Sequence, residues 1–323
     1  MKVLDLSPGC YRSGVIHARG RDWIESNCYI DVLLEIVHAL DLEPRACLAF
    51  TVATDYEGDQ WTFYKPPHGD LYDFYGIRID ELSIWRSLLE HAECAIDAGR
   101  LLLLEVDTYY LPDSRQTDYR RRHSKTTIAL NAIEPESNTV EYFHNVGYFG
   151  LTGEDFRGLF RLDRSTSADW LPPYCEVLKL DDLKRLEELP LAEMCWSKLP
   201  RYLAMAPARN PIEVYGAQVT EQLSWLATQG EDVYHDYVFA NLRQCGSCYE
   251  HTALMLDWLA EHDRAESADA AKAFREISST AKMLVMKTAR MAATGQVRDV
   301  SPQLDVMARA WEEGMDRLAG LAR

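Results

Sequence analysis

The sequence contains no uninterrupted apolar run of about 18 residues, the length at which a helix begins to span a lipid bilayer. We therefore expect no transmembrane helix and no membrane partner. The first 25 residues lack a basic region followed by an apolar one, so no secretory signal is predicted. The eight cysteines are scattered along 323 residues, which is typical of reduced thiols rather than of a disulfide framework. These features predict a cytoplasmic protein.

Positive charge is also scarce. The chain has 34 Lys and Arg residues against 51 Asp and Glu residues, a formal net charge of −17. Nucleic acids and anionic membranes bind to cationic surfaces, so we expect neither as a partner. An acidic partner would need a local basic patch.

Several catalytic motifs are missing. There is no phosphate-binding loop, no dinucleotide glycine fingerprint, no His-Glu-x-x-His and no Gly-x-Ser-x-Gly. Kinase, Rossmann, zincin and serine-hydrolase functions therefore lose their usual support. We expect no metal and no bound cofactor.

The pattern of residues changes near the middle of the chain. Hydrophobic residues make up 47% and charged residues 26%, which is an ordinary globular composition. The length suggests two domains. Residues 1–170 mix short apolar runs with turn clusters and predict an α+β domain, whereas residues 171–323 predict an all-helical domain. The Trp-Leu-Pro-Pro segment at 170–173 predicts a hinge between them.

Local patterns predict individual elements. A helix at 29–40 is apolar nearly all round and hence buried; Asn27 or Ser26 caps it, and Pro44 lies beyond its end. Strands are predicted at 46–52, 101–106, 126–133 and 139–144, with a turn at 134–138 between the last two. Further helices are predicted at 181–188, 212–229, 232–261, 265–293 and 302–322.

Cys28, at the start of the buried helix, is the leading candidate nucleophile. Free N–H groups and a partial positive charge at a helix N-terminus favour a thiolate, and the same N–H groups can hold an oxyanion. The alternative is a small buried cysteine that only packs.

A thiol nucleophile needs a base and a group that orients the base. His123 precedes the strand at 126–133, while His144 and Asn145 end the next strand. The order Cys, His, Asn is that of papain-like domains. A turn near Ser137 pairs residues 144–146 with about 126–128. By that count the usual His position of papain-like domains is Thr126, and His144 lies across from it. Both histidines remain candidates, with Asn145 as the orienting residue.

A second cysteine motif, Cys245-Gly-Ser-Cys248-Tyr249, copies the local sequence around the papain nucleophile. Only 75 residues follow Cys248, and no Asn follows Asn241, so the downstream partners are missing. A metal site with His251 lacks an evident fourth ligand. The favoured interpretation is a helix–helix contact.

Two charged segments are candidate binding sites. Arg115, Arg120, Arg121, Arg122 and Lys125 form the densest basic run, which is either a solvated loop or a docking site for an acidic protein or a phosphate. The acidic segment 55–60 either binds a substrate amine or caps a turn.

Several segments together resemble an uncharacterised bacterial family whose members often accompany amino acid–carrier protein ligases and acyl carrier proteins. These segments are 27–29, 57–60, 105–112, 125–128, 142–148 and 242–246. More distantly, the first half resembles the butirosin biosynthesis protein H group of papain-like acyltransferases, which move an acyl group from a carrier protein to an amine. That group places a second His at about position 126, where this chain has Thr126.

The resemblance implies a papain-like cysteine-protease-type fold for residues 1–170, with Cys28 as the nucleophile. It implies an acyl or aminoacyl transferase whose substrate is the phosphopantetheine arm of a carrier protein and whose acceptor is an amine or other nucleophile. The alternatives are a papain-like thioesterase or amidase and a non-catalytic adaptor that binds the carrier protein. The candidate substrate-binding residues are Asn27, Asp59, Gln60, Asp107, Arg121, Arg122 and Lys125.

Overall fold

A computed structural model describes residues 1–162 and 171–321 of the chain. The chain forms two compact units. The sheet unit comprises Met1–Ala18, Asn27–Leu42 and Pro67–Arg185, and the helical unit comprises Arg19–Ser26, Glu43–Pro66 and Leu186–Arg323. The predicted hinge begins at Trp170, which lies outside the described residues.

The sheet unit is built on a six-stranded antiparallel sheet with the strand order β1-β6-β2-β3-β4-β5. The strands are β1 (Arg78–Glu81), β2 (Leu101–Asp107), β3 (Lys125–Glu134), β4 (Thr139–His144), β5 (Gly147–Thr152) and β6 (Cys175–Lys179). The predicted strands at 101–106, 126–133 and 139–144 are therefore confirmed, as is the turn between the last two. With helices on the same unit, the architecture is α+β.

One face of the sheet carries an apolar core. Helices α3 (Leu88–Asp97) and α4 (Glu154–Leu159) contribute to this core. Side chains alternate between the two faces of a strand, so β2 presents Leu102, Leu104 and Val106 to it. Ile128 of β3 and Tyr142 of β4 belong to the same core.

Helix α1 (Cys28–Ala39) packs on the opposite face, against β3 and β4. The Tyr29 hydroxyl donates to Glu176 Oε2 at 2.7 Å, and Glu176 pairs with Leu103, a residue on the face away from the core. Asn27 caps the helix as predicted, since its side chain accepts a hydrogen bond from the Ile30 amide at 3.1 Å. This unit also contains α2 (His68–Tyr75).

The helical unit contains α5 (Glu188–Met205), α6 (Pro211–Leu226), α7 (Glu231–Val238), α8 (Gln244–Glu261), α9 (Ala268–Thr294) and α10 (Ser301–Leu321). A π-helical turn, Phe239–Arg243, joins α7 to α8, so the predicted segment at 232–261 is helical throughout. The predicted helices at 212–229, 265–293 and 302–322 are also confirmed within a few residues. No helix in residues 1–162 or 171–321 is long and apolar enough to cross a membrane.

Two sequence predictions are wrong. The apolar segment at 46–52 is a 3₁₀ helix, Pro44–Ala53, rather than a strand; a short apolar run does not distinguish a buried strand from a buried helix. The segment at 181–188 is not a helix, and α5 begins only at Glu188. The sequence analysis missed α5 because this segment contains Pro190 and Pro200, and proline commonly ends a helix. Pro190 is tolerated because it lies in the first helical turn, where the backbone N–H has no partner within the helix.

Candidate active site

The thiol of Cys28 lies where the sequence predicts, at the first residue of α1. The residue is half-buried and its thiol is free of a disulfide. Within the described ranges, no hydrogen bond or ion pair joins its side chain to another group. The structure thus confirms the helix start and does not show a base in contact with the sulfur.

His144, one of the two predicted bases, lies on the core face of the sheet. It pairs with Ile128, a core residue, whereas α1 packs on the other face. Its ring is buried: Nδ1 contacts Asp113 Oδ2, and Nε2 lies 2.9 Å from Thr126 Oγ1. The sheet therefore separates this imidazole from α1, and both of its nitrogens already have partners.

His123, the other predicted base, forms a dyad with Asp107. Its Nδ1 lies 2.6 Å from Asp107 Oδ2, while Asp107 Oδ1 accepts a hydrogen bond from the Tyr109 amide at 3.0 Å. The imidazole stacks on the Tyr109 ring, with centroids 4.4 Å apart and an interplanar angle of 15°. The carboxylate and the stacked ring together fix the orientation of His123 before any substrate binds.

The free nitrogen of this dyad is open to a ligand. The His123 side chain is 64% exposed, and no hydrogen bond to its Nε2 exists among the described residues. A carboxylate that accepts Nδ1–H leaves the lone pair on Nε2, which is the arrangement of a general base. Asp107 has the same strand parity as Leu103, so its side chain leaves the end of β2 on the face away from the core.

A cavity of about 420 Å³ opens beside the dyad, and sites for small molecules commonly measure about 300–1,000 Å³. Strand β6 pairs with β2 at Leu101 to Leu104, and β2 continues beyond that point to Asp107. The cavity lies beside the end of β2. Its polar lining includes the dyad and a second ion pair, Lys125 Nζ to Glu105 Oε1 at 2.6 Å. Its apolar lining comes mainly from α3, α4 and the segment before β6. The arrangement places a preoriented imidazole at the edge of a partly apolar cavity.

Comparison with protein families matches one family model to each half of the chain. The model of the DUF1839 N-terminal domain matches residues 12–180, and the model of the DUF1839 C-terminal domain matches residues 188–320. The chain belongs to the DUF1839 family. A search of curated proteins finds no match to it. The dyad, the cavity and Cys28 all lie in the DUF1839 N-terminal domain.

Asn145 does not orient either imidazole of the DUF1839 N-terminal domain. It occupies the turn between β4 and β5 with a positive φ of 46°. Asp107 contacts His123 instead, and Asp113 contacts His144. The sequence marked Asp107 only as a substrate-binding residue. A signal for the contact with His123 was available. Asp107 is the last residue of β2 and pairs with Lys125, which follows His123 by two positions.

A third imidazole, His68, was missed from the sequence. Its Nε2 lies 3.0 Å from the Tyr29 hydroxyl and 3.7 Å from Glu176 Oε1. Glu176 is buried and also accepts a hydrogen bond from Tyr174 at 2.8 Å. Burial raises the pKa of the Tyr29 hydroxyl, and the charge of Glu176 raises it further. This network holds the residue next to Cys28 against the sheet.

The structure shows partners for two members of the basic run in the DUF1839 N-terminal domain. Arg120 binds Asp155 at 2.5 Å and lies over the ring of Tyr109, and Lys125 is paired with Glu105. Arg121 and Arg122 are exposed. The predicted basic run therefore includes two arginines, Arg121 and Arg122, whose side chains reach the surface of this unit.

The remaining predicted sites lie in the helical unit. Asp59 and Gln60 occupy an exposed turn, in which the Glu57 amide donates to the Gln60 carbonyl at 2.8 Å. Cys245 and Cys248 are buried in α8, and burial raises the pKa of both thiols, so neither is an activated nucleophile. In the described part of the chain, no group of three or more His, Cys, Asp or Glu residues is arranged so that it could hold a metal ion.

Proposed function

We propose that this DUF1839 protein is a papain-like acyltransferase that takes an acyl or aminoacyl group from a carrier-protein thioester and passes it to an amine. The observation that most directly supports the proposal is the His123–Asp107 dyad at the edge of the cavity. The resemblance to carrier-dependent acyltransferases depends in part on residues 27–28 and 107–112, which supply the candidate thiol and this aspartate. The same proposal places the protein in the cytoplasm, where its thiols stay reduced.

In the proposed first step, the Cys28 thiolate attacks the thioester carbonyl. The tetrahedral intermediate collapses, the bond from carbon to the phosphopantetheine sulfur breaks, and that thiol leaves with the proton that His123 holds. The N–H groups at the start of α1 are suited to stabilise the oxyanion. The product of this step is an acyl-enzyme on Cys28.

In the second step, the acceptor amine attacks the acyl-enzyme. His123 Nε2 takes a proton from the amine, the carbon–sulfur bond to Cys28 breaks, and the amide is released. Asp107 stabilises the imidazolium that forms in between. His123 is favoured over His144 as the base because the sheet lies between His144 and α1.

Carrier proteins and phosphopantetheine bring negative charge to this site. The chain is itself strongly acidic, so an acidic partner needs a local positive patch. Arg121 and Arg122, at the loop that leads into His123, are exposed and provide one. We propose that the carrier docks there, which would direct its arm toward the dyad.

Intact-protein mass spectrometry after incubation with acyl-loaded carrier protein tests the mechanism. We expect an adduct on the wild type and on the control Cys10→Ala, which removes an exposed thiol, and none on Cys28→Ala. His123→Gln should lower turnover by about 10²- to 10⁴-fold, because it removes the base. Product analysis with and without an amine separates transfer from hydrolysis.

Three results would contradict parts of this mechanism. Full turnover by Cys28→Ala, with turnover lost in His123→Gln, means that the amine attacks the thioester directly. Turnover that both variants retain removes the dyad and the thiol from the chemistry. Carrier binding without any transfer by the wild type favours the non-catalytic adaptor.

A further inference from the structure

The cavity of the sheet unit has an apolar wall opposite its ion pairs. Leu88, at the start of α3, and Leu159, at the end of α4, are each 5% exposed, and Val106 of β2 belongs to the same core and also lines the cavity. Leu171 is 85% exposed and Pro173 follows it, so these two residues form a rim. The cavity thus offers an apolar ligand a buried wall and an accessible entrance.

One part of this wall is fixed by the absence of a side chain. A Cβ atom at Gly158 would lie 2.1 Å from Cε1 of Tyr110, so only glycine permits the ring to occupy its position. Both residues line the cavity. The Arg120 guanidinium lies 5.6 Å from the centroid of the Tyr110 ring. The close contact with Gly158 keeps the Tyr110 ring in the cavity wall.

Four of the charged residues that line the cavity form two matched pairs, and Arg161 also belongs to the lining. His123 is paired with Asp107 and Lys125 with Glu105, each at 2.6 Å. Neither pair offers an uncompensated cation to a phosphate or an uncompensated carboxylate to an ammonium group. An uncharged apolar group is the ligand chemistry that this lining fits best.

We infer that the cavity binds a short aliphatic acyl chain, with the thioester carbonyl at the His123 end. This inference rests on the proposed acyl transfer and adds the class of acyl group. The chain would bury its methylene groups against Leu88 and Leu159, and burial of apolar surface is the driving force. The ion pairs at the other end would remain in contact with the polar thioester.

Binding of S-acyl-N-acetylcysteamine thioesters to the full-length Cys28→Ala protein tests this inference by calorimetry. The probes are the acetyl, butanoyl, hexanoyl, octanoyl and decanoyl thioesters. We expect affinity to rise about fourfold for each added CH₂ until the cavity is filled, and then to level off. An affinity that does not change with chain length overturns the inference.

Two pairs of variants locate the binding site. Leu88→Phe should weaken octanoyl binding by roughly tenfold relative to butanoyl binding, because the ring fills the cavity. Leu89→Phe is the matched control, since Leu89 is the next residue of α3 and does not line the cavity. Leu171→Ser, at an exposed position that tolerates the change, should weaken octanoyl binding several-fold, with Leu162→Ser as its control.

These results are independent of the transfer chemistry. If binding depends on chain length and both cavity variants weaken it, the acyl cavity is supported. If the same protein transfers no acyl group, the proposed function is refuted. Octanoyl binding that both cavity variants leave unchanged overturns the cavity assignment, even where transfer is observed.

Discussion

Buried charges in the sheet unit are confined to a few side chains, and His17 is the clearest case. Its ring contacts Glu35 through Nδ1 at 2.5 Å and Asp31 through Nε2 at 3.4 Å. Tyr11 and the Gly14 amide also donate to Glu35. Burial alone would lower the pKa of His17, but the hydrogen bonds and charges of the two carboxylates raise it to about 9. The cluster ties the N-terminal segment to α1, which carries Cys28.

The stability of the protein should therefore depend on the protonation of His17. Its folded pKa of about 9 exceeds the unfolded value of 6.5, so its stabilisation is complete below pH 6.5 and is lost as the pH rises through 9. The full effect is about 3 kcal/mol. Urea unfolding followed by circular dichroism at pH 6 and pH 9.5 measures this loss.

The control for this prediction is the double variant His17→Gln/Glu35→Gln, which replaces the charged pair with two neutral amides. Its unfolding free energy should change less between pH 6 and pH 9.5 than that of the wild type. Equal changes in the two proteins would contradict the assignment of the pH dependence to this pair.

At the scale of elements, helix ends in the sheet unit depend on local signals that the sequence contains. Ser87 and Glu90 form a capping box at the start of α3, and Gly76 ends α2 in a left-handed conformation with φ of 69°. Gly99 follows α3 with the same φ. The two glycines differ in their surroundings, since a Cβ at Gly76 would lie 1.8 Å from the Asp182 carbonyl oxygen, whereas Gly99 has no atom within 4 Å of that position.

Alanine substitutions at these two glycines should therefore have unequal effects. Gly99→Ala costs about 1–2 kcal/mol of stability, because only the left-handed conformation is penalised. Gly76→Ala should cost at least about 3 kcal/mol, because the backbone at Asp182 must also move. Urea midpoints of the two variants measure the difference, and equal midpoints would contradict the close approach of the Gly76 and Asp182 backbones.

At the scale of the whole molecule, burial divides the eight cysteines into three classes. Cys10 and Cys94 are exposed, Cys28 is half-buried, and the other five are buried. Buried thiols do not react with reagents in water until the protein unfolds. The fold therefore leaves few cysteines with exposed surface, and Cys28 keeps part of its surface exposed.

Thiol titration with a disulfide reagent should detect three fast-reacting groups in the native protein and eight after unfolding. The double variant Cys10→Ala/Cys94→Ala should retain one fast-reacting thiol, that of Cys28. If this variant has no reactive thiol in the native state, Cys28 is sealed from solvent. The proposed nucleophilic mechanism would then fail.

Much of the α+β architecture follows from local patterns in the sequence. The strands at 101–106, 126–133 and 139–144 and the start of α1 were predicted because side-chain alternation, turn residues and an Asn cap act over a few residues. The segment at 46–52 and helix α5 were missed because apolar runs and internal prolines are ambiguous without their tertiary contacts.

The candidate residues Cys28, His123 and His144 and their order were available from the sequence. Which side chains contact them became known from the fold. A bulge at Asn131, between the pairs formed by Leu130 and Ala132, and the antiparallel register place His144 on the core face and His123 beside Asp107. The physical reason is that strand side chains alternate between faces, so a shift of one residue reverses the face, and no local signal specifies that register.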